Sequence, residues 1–366
     1  MADDAARTSG SPPVTGRATA DGGVRVPDPS EAGAVYGRGY FGDVASGGLE
    51  LERVEGTYLV EMGRLAVDSE AGRRLNWRQM FRRALRAEKG FGIRYLVYRD
   101  LRQRGYVVRV GPSPVAFSVL PRGGVLHKTP ARFWVEAISE RAPFRLAETL
   151  ERTRGARAAK KSLLLGVVDE ESDLTYYRLR FTSPHGTLPT VDSSASVEGT
   201  LADDRVVVHD PDAVERLGKL HSFGSRIGGR LELSLLEAVF LAESGALEVR
   251  SGRSGRLIPV DVFRGRVQRL EPGFRHRLAV YRALRSRHLV VKTGFKYGAH
   301  FRAYPRDPSH VHARYLVRAA PADFSAPWPE VAGAVRLAQG VRKEFLIGAV
   351  PAGGEVEFLA LERVRP

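Results

Sequence analysis

Hydrophobic positions along this chain follow two periods, and the pattern that they make occurs twice. Apolar residues at helical spacing surround Tyr58 and Tyr98, and short apolar runs typical of strands follow these segments. About 182 residues later the same order returns, with Phe240 in the place of Tyr58 and Tyr281 in the place of Tyr98. The register holds over several elements, so we interpret the chain as a tandem duplication.

Each copy divides into a first part dominated by helical patterns and a second part in which strands and helices alternate. We therefore predict an α/β (α+β) fold. In each copy a helix-rich N-terminal α+β subdomain precedes a C-terminal α/β subdomain built on a mixed sheet. The predicted subdomains are residues 25–89 and 90–183 in the first copy, and residues 206–271 and 272–366 in the second.

The composition of two further segments indicates that they lie outside the hydrophobic cores. Residues 1–24 contain hardly any large apolar side chain, and we predict a disordered tail there. Residues 184–205 begin with a stretch rich in serine, threonine and proline, and we predict that they form the linker between the copies.

The composition narrows the class of partner. The 366 residues carry a formal net charge of +15 and a sequence pI of about 10.3, which predicts salt-sensitive binding to a polyanion. Cysteine is absent, which excludes disulfides and thiolate metal sites. We find no signal-peptide pattern and no apolar run long enough for a membrane span, so we expect a cytoplasmic protein without a membrane partner.

Three residues near the C-terminus have the chemistry that metal-free RNA cleavage needs. Tyr304 ends a strand-like run, and His312 opens the next run after a proline-rich turn, so a hairpin is predicted to bring them within about 5–10 Å. Lys343 ends a helical pattern just before another strand. Such a set supplies a base for the 2′-hydroxyl, an acid for the leaving 5′-oxygen and a cation for the phosphorane.

Each of these residues also has an ordinary explanation. Tyr304 alone is typical of a packed strand residue, and Lys343 alone of a solvated helix end. His300 and His310 compete with His312 for the role of acid, and we prefer His312 because it opens the next strand-like run. A free tyrosine titrates near a pH of about 10, so a tyrosine base at neutral pH needs cationic neighbours.

A resemblance to a known family adds to this interpretation. Residues 280–304, 312–317 and 334–343 closely resemble motifs of the archaeal tRNA-splicing endonuclease family. The motifs have the family's order and spacing, which is far more specific than three single residues. The resemblance is dense in the C-terminal half of the chain and weaker in the N-terminal half.

The resemblance implies a function and a set of catalytic residues. Tyr304, His312 and Lys343 match the family's catalytic triad. The implied activity is that of a tRNA-intron lyase, which cuts precursor tRNA at both splice sites of a bulge–helix–bulge and leaves 2′,3′-cyclic phosphate and 5′-hydroxyl ends. It implies no cofactor and no metal, and no DNA substrate is expected.

The first copy lacks most of this chemistry. Leu120 stands in the position of the tyrosine and Pro130 in the position of the histidine, whereas Lys161 remains in the position of the lysine. A lone lysine has neither a base nor an acid to work with. We therefore predict that the first copy is catalytically silent.

Two arginines are candidates for RNA binding. In the family, two arginines sandwich a flipped-out base of the bulge. Arg336 matches the first of these well, and Arg363 is a looser match for the second. Guanidinium planes stack on bases and pair with phosphates, so the implied role suits the residue type.

An acidic turn distinguishes the silent copy from the catalytic copy. In the family, an acidic loop of the silent unit docks into a basic groove of the partner chain. The resemblance therefore implies a homodimer that forms a pseudo-tetramer. The residues of the acidic turn are Asp169, Glu170, Glu171 and Asp173.

Two other classes of protein stay open. A metal-dependent nuclease is one, although it requires clustered carboxylates and only Asp307 lies near the triad in sequence. A non-catalytic RNA-binding or partner subunit of a splicing endonuclease is the other. Such a subunit is expected to lack triad residues in both copies.

Overall fold

The chain folds into two compact units that do not coincide fully with the two copies. The computed structural model describes residues 13–111, 115–189 and 196–366. Two short segments of the first copy, residues 143–153 and 179–183, belong to the second unit. The first unit runs to Ala142 and also contains Arg154–Arg178 and Val364–Pro366, and the second contains Pro143–Thr153 and Leu179–Arg363.

The first half of the chain alternates short strands with helices. Its strands are β1 (Val14–Ala18), β2 (Val24–Val26), β3 (Asp43–Ala45), β4 (Gly48–Leu51), β5 (Leu65–Asp68), β6 (Arg74–Leu75), β7 (Val108–Val110), β8 (Phe117–Val119), β9 (Phe133–Ser139), β10 (Pro143–Arg145), β11 (Ser162–Val168) and β12 (Leu174–Thr182). Its helices are α1 (Pro29–Gly37), α2 (Arg53–Glu61), α3 (Trp77–Ala87), α4 (Phe91–Gln103) and α5 (Leu146–Ala158).

The second half repeats this order. Its strands are β13 (Val197–Ala202), β14 (Arg205–Val208), β15 (Ser225–Ile227), β16 (Arg230–Ser234), β17 (Leu247–Ser251), β18 (Val290–Thr293), β19 (Phe301–Tyr304), β20 (Tyr315–Pro321), β21 (Ser325–Pro327), β22 (Glu344–Val350) and β23 (Glu357–Val364). Its helices are α6 (Pro211–Ala213), continued by a π-helical segment (Val214–Leu220), α7 (Leu235–Glu243), α8 (Val260–Leu270), α9 (Phe274–Arg285) and α10 (Trp328–Gly340), with a 3₁₀ turn at Phe295–Tyr297.

Each unit contains an N-terminal sheet and the strands of a mixed sheet. In the first unit the N-terminal strand order is β3-β4-β2-β1-β5-β6, and in the second it is β15-β16-β14-β13-β17. In the mixed sheets, β9 and β11 pair in parallel in one unit and β20 and β22 do so in the other. The predicted duplication and α+β class are confirmed, although strands make up more of the N-terminal subdomains than their helical patterns indicated.

Matching helix ends show why the two copies fold alike. At the equivalent starts of α2 and α7, the backbone N–H groups of Glu52 and Ser234 donate to the carboxylates of Glu55 and Glu237, both at 3.0 Å. Gly63 and Gly245 follow α2 and α7 with φ angles of +65° and +77°, in the left-handed region that glycine enters most easily. The two glycines therefore end equivalent helices in the same way.

A buried glutamate organises each N-terminal subdomain. The Glu55 carboxylate accepts hydrogen bonds from the backbone N–H of Gly42 at 3.0 Å, and the Glu237 carboxylate accepts one from Gly224 at 2.9 Å. Burial raises the pKa of Glu55, and the backbone donors partly oppose that shift. In both copies the carboxylate therefore ties the loop before a strand to the start of a helix.

Two buried arginines repeat the match inside the cores. The Arg102 guanidinium lies 3.9 Å from the centroid of the Phe41 ring, and that of Arg285 lies 4.1 Å from the centroid of Phe223. All four residues lie 182 or 183 positions from their counterparts in the sequence. In such cation–π stacks the negative face of the aromatic ring attracts the guanidinium group, which stabilises a charged side chain in the core.

The prediction of a disordered tail is wrong for its last part. Residues 1–12 lie outside the described residues. Within 13–24, however, Val14–Ala18 forms β1, which pairs in parallel with β5 from Val14 opposite Leu65 onwards. The partner strand lies about fifty residues away in sequence, so local composition could not reveal the pairing.

The linker prediction also needs correction. Residues 190–195 lie outside the described residues, but Val197–Ala202 is strand β13, which pairs in parallel with β17. Before the gap, Leu188 is buried and its backbone N–H donates to His288. Both ends of the predicted linker are therefore ordered parts of the second unit.

Helix α10 begins later than its sequence suggests. A serine followed by prolines is typical of a helix start, but Ser325–Pro327 is a strand that pairs with β10. The helix buries one apolar face, which includes Val331, Val335 and Ala338. Across the described ranges, no helix is both long and apolar enough to cross a membrane.

Candidate active site

Three strand ends converge at one edge of the mixed sheet of the second unit. Tyr304 is the last residue of β19, which pairs with β20 through Ala303 and Tyr315. In β22, Glu344 lies opposite Tyr315. Because neighbouring strands lie about 4.8 Å apart, the ends of β19 and β22 are separated by about 10 Å. Tyr304 and Lys343, the residue before β22, therefore open onto the same edge.

His312 lies in the loop between β19 and β20, and its side chain is exposed. The loop closes two residues later, where the Arg314 N–H donates to the Ala303 carbonyl at 3.0 Å. Within it, one Asp307 carboxylate oxygen accepts from the N–H and the hydroxyl of Ser309 at 2.8 and 2.6 Å. These bonds hold the pKa of Asp307 below its usual range. The sheet and the Asp307 turn thus shape the loop that carries His312.

A left-handed residue sets the position of Lys343. Arg342 has a φ of +56°, and the Lys343 N–H donates to the carbonyl of Ala338 at 2.8 Å, which closes the end of α10. The half-buried Lys343 ammonium donates to the Val341 carbonyl at 3.1 Å. The chain therefore turns sharply from helix to strand at the position that presents this ammonium group.

Two residues that the sequence did not single out connect the tyrosine and the lysine. The Lys343 Nζ lies 5.7 Å from the centroid of the Tyr297 ring. The Arg302 guanidinium lies 6.0 Å from that centroid and 5.9 Å from the centroid of Tyr304. Strand alternation could have placed Arg302 on the same face as Tyr304, whereas nothing in the sequence pointed to Tyr297. The edge thus carries two cations beside two phenol rings.

The other two nearby histidines differ in their surroundings. His300 precedes β19, so it lies about 13 Å along the strand from Tyr304. Its Nδ1 accepts the backbone N–H of Ala319 at 2.9 Å. Desolvation of the ring, helped by Arg277 and Arg318, lowers the pKa of His300 to about 4, although part of the side chain remains exposed. His310 is exposed in the same loop as His312.

The first unit confirms which residues correspond to the tyrosine. In the second unit Tyr304 lies opposite Val290. In the first, the Leu120 N–H donates to the carbonyl of Val107 at 3.0 Å, and Val107 stands 183 residues before Val290. Leu120 therefore occupies the strand position of Tyr304, and a phenol is absent there.

The histidine and lysine positions also correspond. The Arg132 N–H closes the loop after Pro130 by donating to Val119 at 2.8 Å, as Arg314 does in the second unit. Lys161 follows a residue with the same left-handed φ of 56° as Arg342, namely Lys160. The two units thus share one backbone design at this edge and differ in the reactive groups that it carries.

The two candidate RNA-binding arginines lie near each other. Arg336 is exposed on α10, and Gln339, three residues on and on the same helical face, donates through Nε2 to the backbone carbonyl of Arg363 at 2.9 Å. The Arg363 side chain is exposed at the end of β23. The hydrogen bond therefore joins the helix that carries Arg336 to the strand end that carries Arg363.

The acidic turn has an internal organiser that the sequence did not reveal. One Asp169 carboxylate oxygen accepts from the N–H groups of Glu171 and Asp173 at 3.0 and 2.8 Å. The carboxylate of Glu170 lies 3.7 Å from the Arg141 guanidinium, with both side chains largely exposed. The side chains of Glu170, Glu171 and Asp173 are therefore exposed to solvent, whereas the Asp169 carboxylate stabilises the turn.

An exposed aromatic side chain stands beside this edge. Phe295 is 86 % exposed in the 3₁₀ turn that also carries Tyr297, and Lys296 between them is exposed as well.

Across residues 13–111, 115–189 and 196–366, no group of three or more histidine, aspartate and glutamate side chains is arranged to hold a metal ion.

Comparison with known protein families identifies both subdomains. The catalytic C-terminal domain of tRNA intron endonucleases matches residues 91–176 and 274–358, and the N-terminal domain matches residues 20–81 and 197–264. The chain belongs to the tRNA intron endonuclease family. Because each domain of this endonuclease is matched twice, the predicted duplication and the predicted family are both confirmed.

Archaeal relatives resemble this endonuclease over nearly their whole length. The tRNA-splicing endonuclease of Methanosarcina mazei is 39% identical over 335 residues, which are 90% of this chain and 94% of the relative. That of Natronomonas pharaonis is 35% identical over 360 residues, which are 94% of this chain and 98% of the relative. The archaeal character expected from the motifs is thus supported by full-length relatives.

Proposed function

We propose that this endonuclease cleaves precursor tRNA at the two splice sites of a bulge–helix–bulge without a metal ion. The 2′-hydroxyl attacks the adjacent phosphate, and the products are a 2′,3′-cyclic phosphate and a 5′-hydroxyl. Tyr304 accepts the proton of the 2′-hydroxyl, His312 protonates the leaving 5′-oxygen, and Lys343 stabilises the charge on the phosphorane.

One observation carries this proposal: the same edge exists in both units, but its tyrosine and its histidine occur in only one. Tyr304 and Lys343 flank the edge on strands two apart, and the His312 loop closes between them. The first unit has Leu120 and Pro130 on the same backbone positions. A structural role common to both units would not need this difference.

The cations at the edge support a phosphate as the reacting group. Arg302 lies 5.9 Å from the Tyr304 ring, and Lys343 faces the neighbouring Tyr297. Fixed positive charge favours the additional negative charge of a phosphorane over that of the ground state, which is how such groups accelerate the chemical step.

The surface beside the edge suits an unpaired base. Gln339 joins the helix of Arg336 to the backbone of Arg363, and guanidinium planes on both faces of a base would hold it outside the RNA helix. Phe295 and Lys296 offer a second stacking face with a cation beside it. We propose that these groups bind the bulge of the RNA, while the chemistry occurs at the triad.

Two cuts in one RNA suggest two catalytic units. The acidic turn of one chain would dock into a basic groove of a second copy, so that the homodimer has the arrangement of a pseudo-tetramer. A protein with this substrate would act in the cytoplasm, where precursor tRNA is present.

The test is cleavage of an end-labelled bulge–helix–bulge RNA in excess EDTA, followed by identification of the new ends. We expect two cuts with cyclic phosphate and 5′-hydroxyl ends, and we expect Tyr304→Phe to lose cleavage while it keeps RNA affinity. Cleavage that stops in EDTA and returns with magnesium would favour a metal-dependent nuclease. RNA binding without any cleavage would favour a non-catalytic subunit.

A further inference from the structure

The segment that leads out of the first copy lies directly behind the tyrosine of the proposed triad. We name residues 184–188 the bridging segment. Its side chains alternate as in a strand, with Pro184, Gly186 and Leu188 buried and the two residues between them exposed. Leu188 packs in a small cluster with Val290 and Tyr304. The bridging segment thus contributes a buried side chain to the cluster that contains Tyr304.

Backbone hydrogen bonds fasten the bridging segment to two neighbouring parts of the second copy. The N–H groups of Gly186 and Leu188 donate to the carbonyls of Arg287 and His288 just before β18, both at 2.9 Å. The Thr187 N–H donates to the carbonyl of Pro305 at 2.9 Å. Pro305 is the residue after Tyr304, so this bond fixes the point at which the chain leaves β19 for the His312 loop.

His288 combines a left-handed conformation with side-chain contacts to the bridging segment. Its φ of +61° is left-handed, and the corresponding residue of the first copy is Gly105, which has a φ of +83°. A histidine at this helix end is less favourable than glycine unless its side chain gains a contact. The His288 side chain makes two such contacts. Its Nδ1 lies 2.9 Å from the Leu188 carbonyl oxygen, and the centroid of its ring lies 5.4 Å from that of the His185 ring in an edge-on arrangement.

Close packing leaves no room for a different side chain at the centre of the bridging segment. A Cβ atom on Gly186 would meet the carbonyl oxygen of Pro305 at 2.8 Å and would come closer still to that of His288. Both neighbours are backbone and cannot turn away. The bridging segment is therefore seated at one register, and that register places Leu188 on Tyr304.

From these contacts we propose that the bridging segment is part of the catalytic apparatus, with Leu188 and His288 as positioning residues for Tyr304. The inference rests on the proposed role of Tyr304 in cleavage. A ring held from behind keeps its oxygen aimed at the 2′-hydroxyl, and small displacements of a catalytic group reduce the rate of the chemical step. The connection between the copies would thereby supply a part of the site that the second copy lacks.

The test measures single-turnover cleavage, RNA affinity and melting temperature on the full-length protein. Leu188→Ala should slow cleavage by about tenfold to a hundredfold, because misplacement by about 1 Å has effects of that order, while RNA affinity stays within about twofold. Leu188→Met, which nearly restores the volume, should recover most of the rate. Leu201→Ala is the matched control, since Leu201 is 7% exposed and Leu188 is 8% exposed, but Leu201 lies in a different core.

A second variant separates positioning from folding. His288→Gly places the preferred residue at a left-handed position, so the melting temperature should not fall, yet the rate should fall because the contact with the bridging segment is lost. Gly186→Ala should also slow cleavage, whereas Gly33→Ala, which meets no atom within 4 Å, should not. Normal rates in both Leu188→Ala and His288→Gly would overturn the inference, as would an equal loss in Leu201→Ala.

Failure of the inference can be told apart from failure of the proposed function. If Tyr304→Phe cleaves at the normal rate, the proposed function is wrong. If Tyr304→Phe is inactive and Leu188→Ala is normal, only the inference is wrong. If Leu188 acts through Tyr304, then adding Leu188→Ala to Tyr304→Phe should not reduce the residual rate further, and a full additional loss would contradict that coupling.

Discussion

The assignment of the acid can be tested among three histidines that lie within thirteen residues of each other. His312→Ala removes the proposed donor of the proton to the leaving oxygen. His310→Ala removes an exposed neighbour in the same loop, and His300→Gln removes a ring at the far end of β19. Glutamine at position 300 can still accept the Ala319 N–H through its amide oxygen, so the fold is preserved.

The expected magnitudes differ because a general acid must be protonated before it acts. With a pKa of about 4, His300 is protonated in about one molecule in a thousand at pH 7, whereas a histidine at the ordinary value of about 6.5 is protonated in about one in four. His300 is therefore disfavoured as the acid by a factor of about two hundred, in addition to its distance. Loss of a working general acid typically reduces the rate by about 10²–10⁴-fold.

The assay is single-turnover cleavage with enzyme in excess, together with RNA affinity measured in EDTA. We expect His312→Ala to lose about 10²–10⁴ in rate with unchanged affinity, and the other two variants to stay within about twofold. A large loss in His310→Ala with a normal His312→Ala would show that the loop register is wrong. A large loss in His300→Gln with a normal melting curve would refute the argument from its pKa.

Three further outcomes follow from contacts elsewhere in the chain. Reversing the three exposed carboxylates of the acidic turn to lysine, with Asp169 kept because it holds the turn, should yield folded, inactive monomers by light scattering, and an active dimer would contradict docking. Arg342→Gly should raise the free energy of unfolding by about 1 kcal/mol in urea, and so should Lys160→Gly, because both relieve a left-handed conformation; no gain in either would contradict this. Because the pKa of His300 is lower in the folded protein than the ordinary value, stability should fall as the pH drops from 6.5 to about 4, and His300→Gln should weaken that fall in thermal melts; an unchanged fall would contradict the sign.

Much of the fold could be predicted from the sequence because the two copies check each other. A single glycine is weak evidence for the end of a helix, but two glycines at equivalent positions of the copies are stronger evidence. Gly63 and Gly245 form such a pair, and both have the left-handed φ that the cap requires. The positions of Tyr304 and Lys343 at strand ends could also be predicted, for a different reason. Turn chemistry and apolar runs bound them on both sides, and these are local features of the chain.

What could not be predicted depends on pairing between distant residues. Val14–Ala18 has too few large apolar residues to indicate a strand, and only its partner β5 makes it one. The linker prediction was wrong for the same reason, since the contacts of Leu188 are with His288 and Tyr304, a hundred residues or more away. The composition of a segment shows which of its own side chains are apolar, but it does not show which distant residues pack against that segment.

The most direct test of the proposed chemistry replaces one hydroxyl of the RNA. In a bulge–helix–bulge substrate with a 2′-deoxy sugar just 5′ of one scissile phosphate, attack by the neighbouring 2′-hydroxyl is impossible at that site. We predict that this RNA binds with nearly normal affinity, is cut only at its other splice site, and stays uncut at the modified site with EDTA or with magnesium. Cleavage at the modified site would show that water is the nucleophile and would contradict the role proposed for Tyr304.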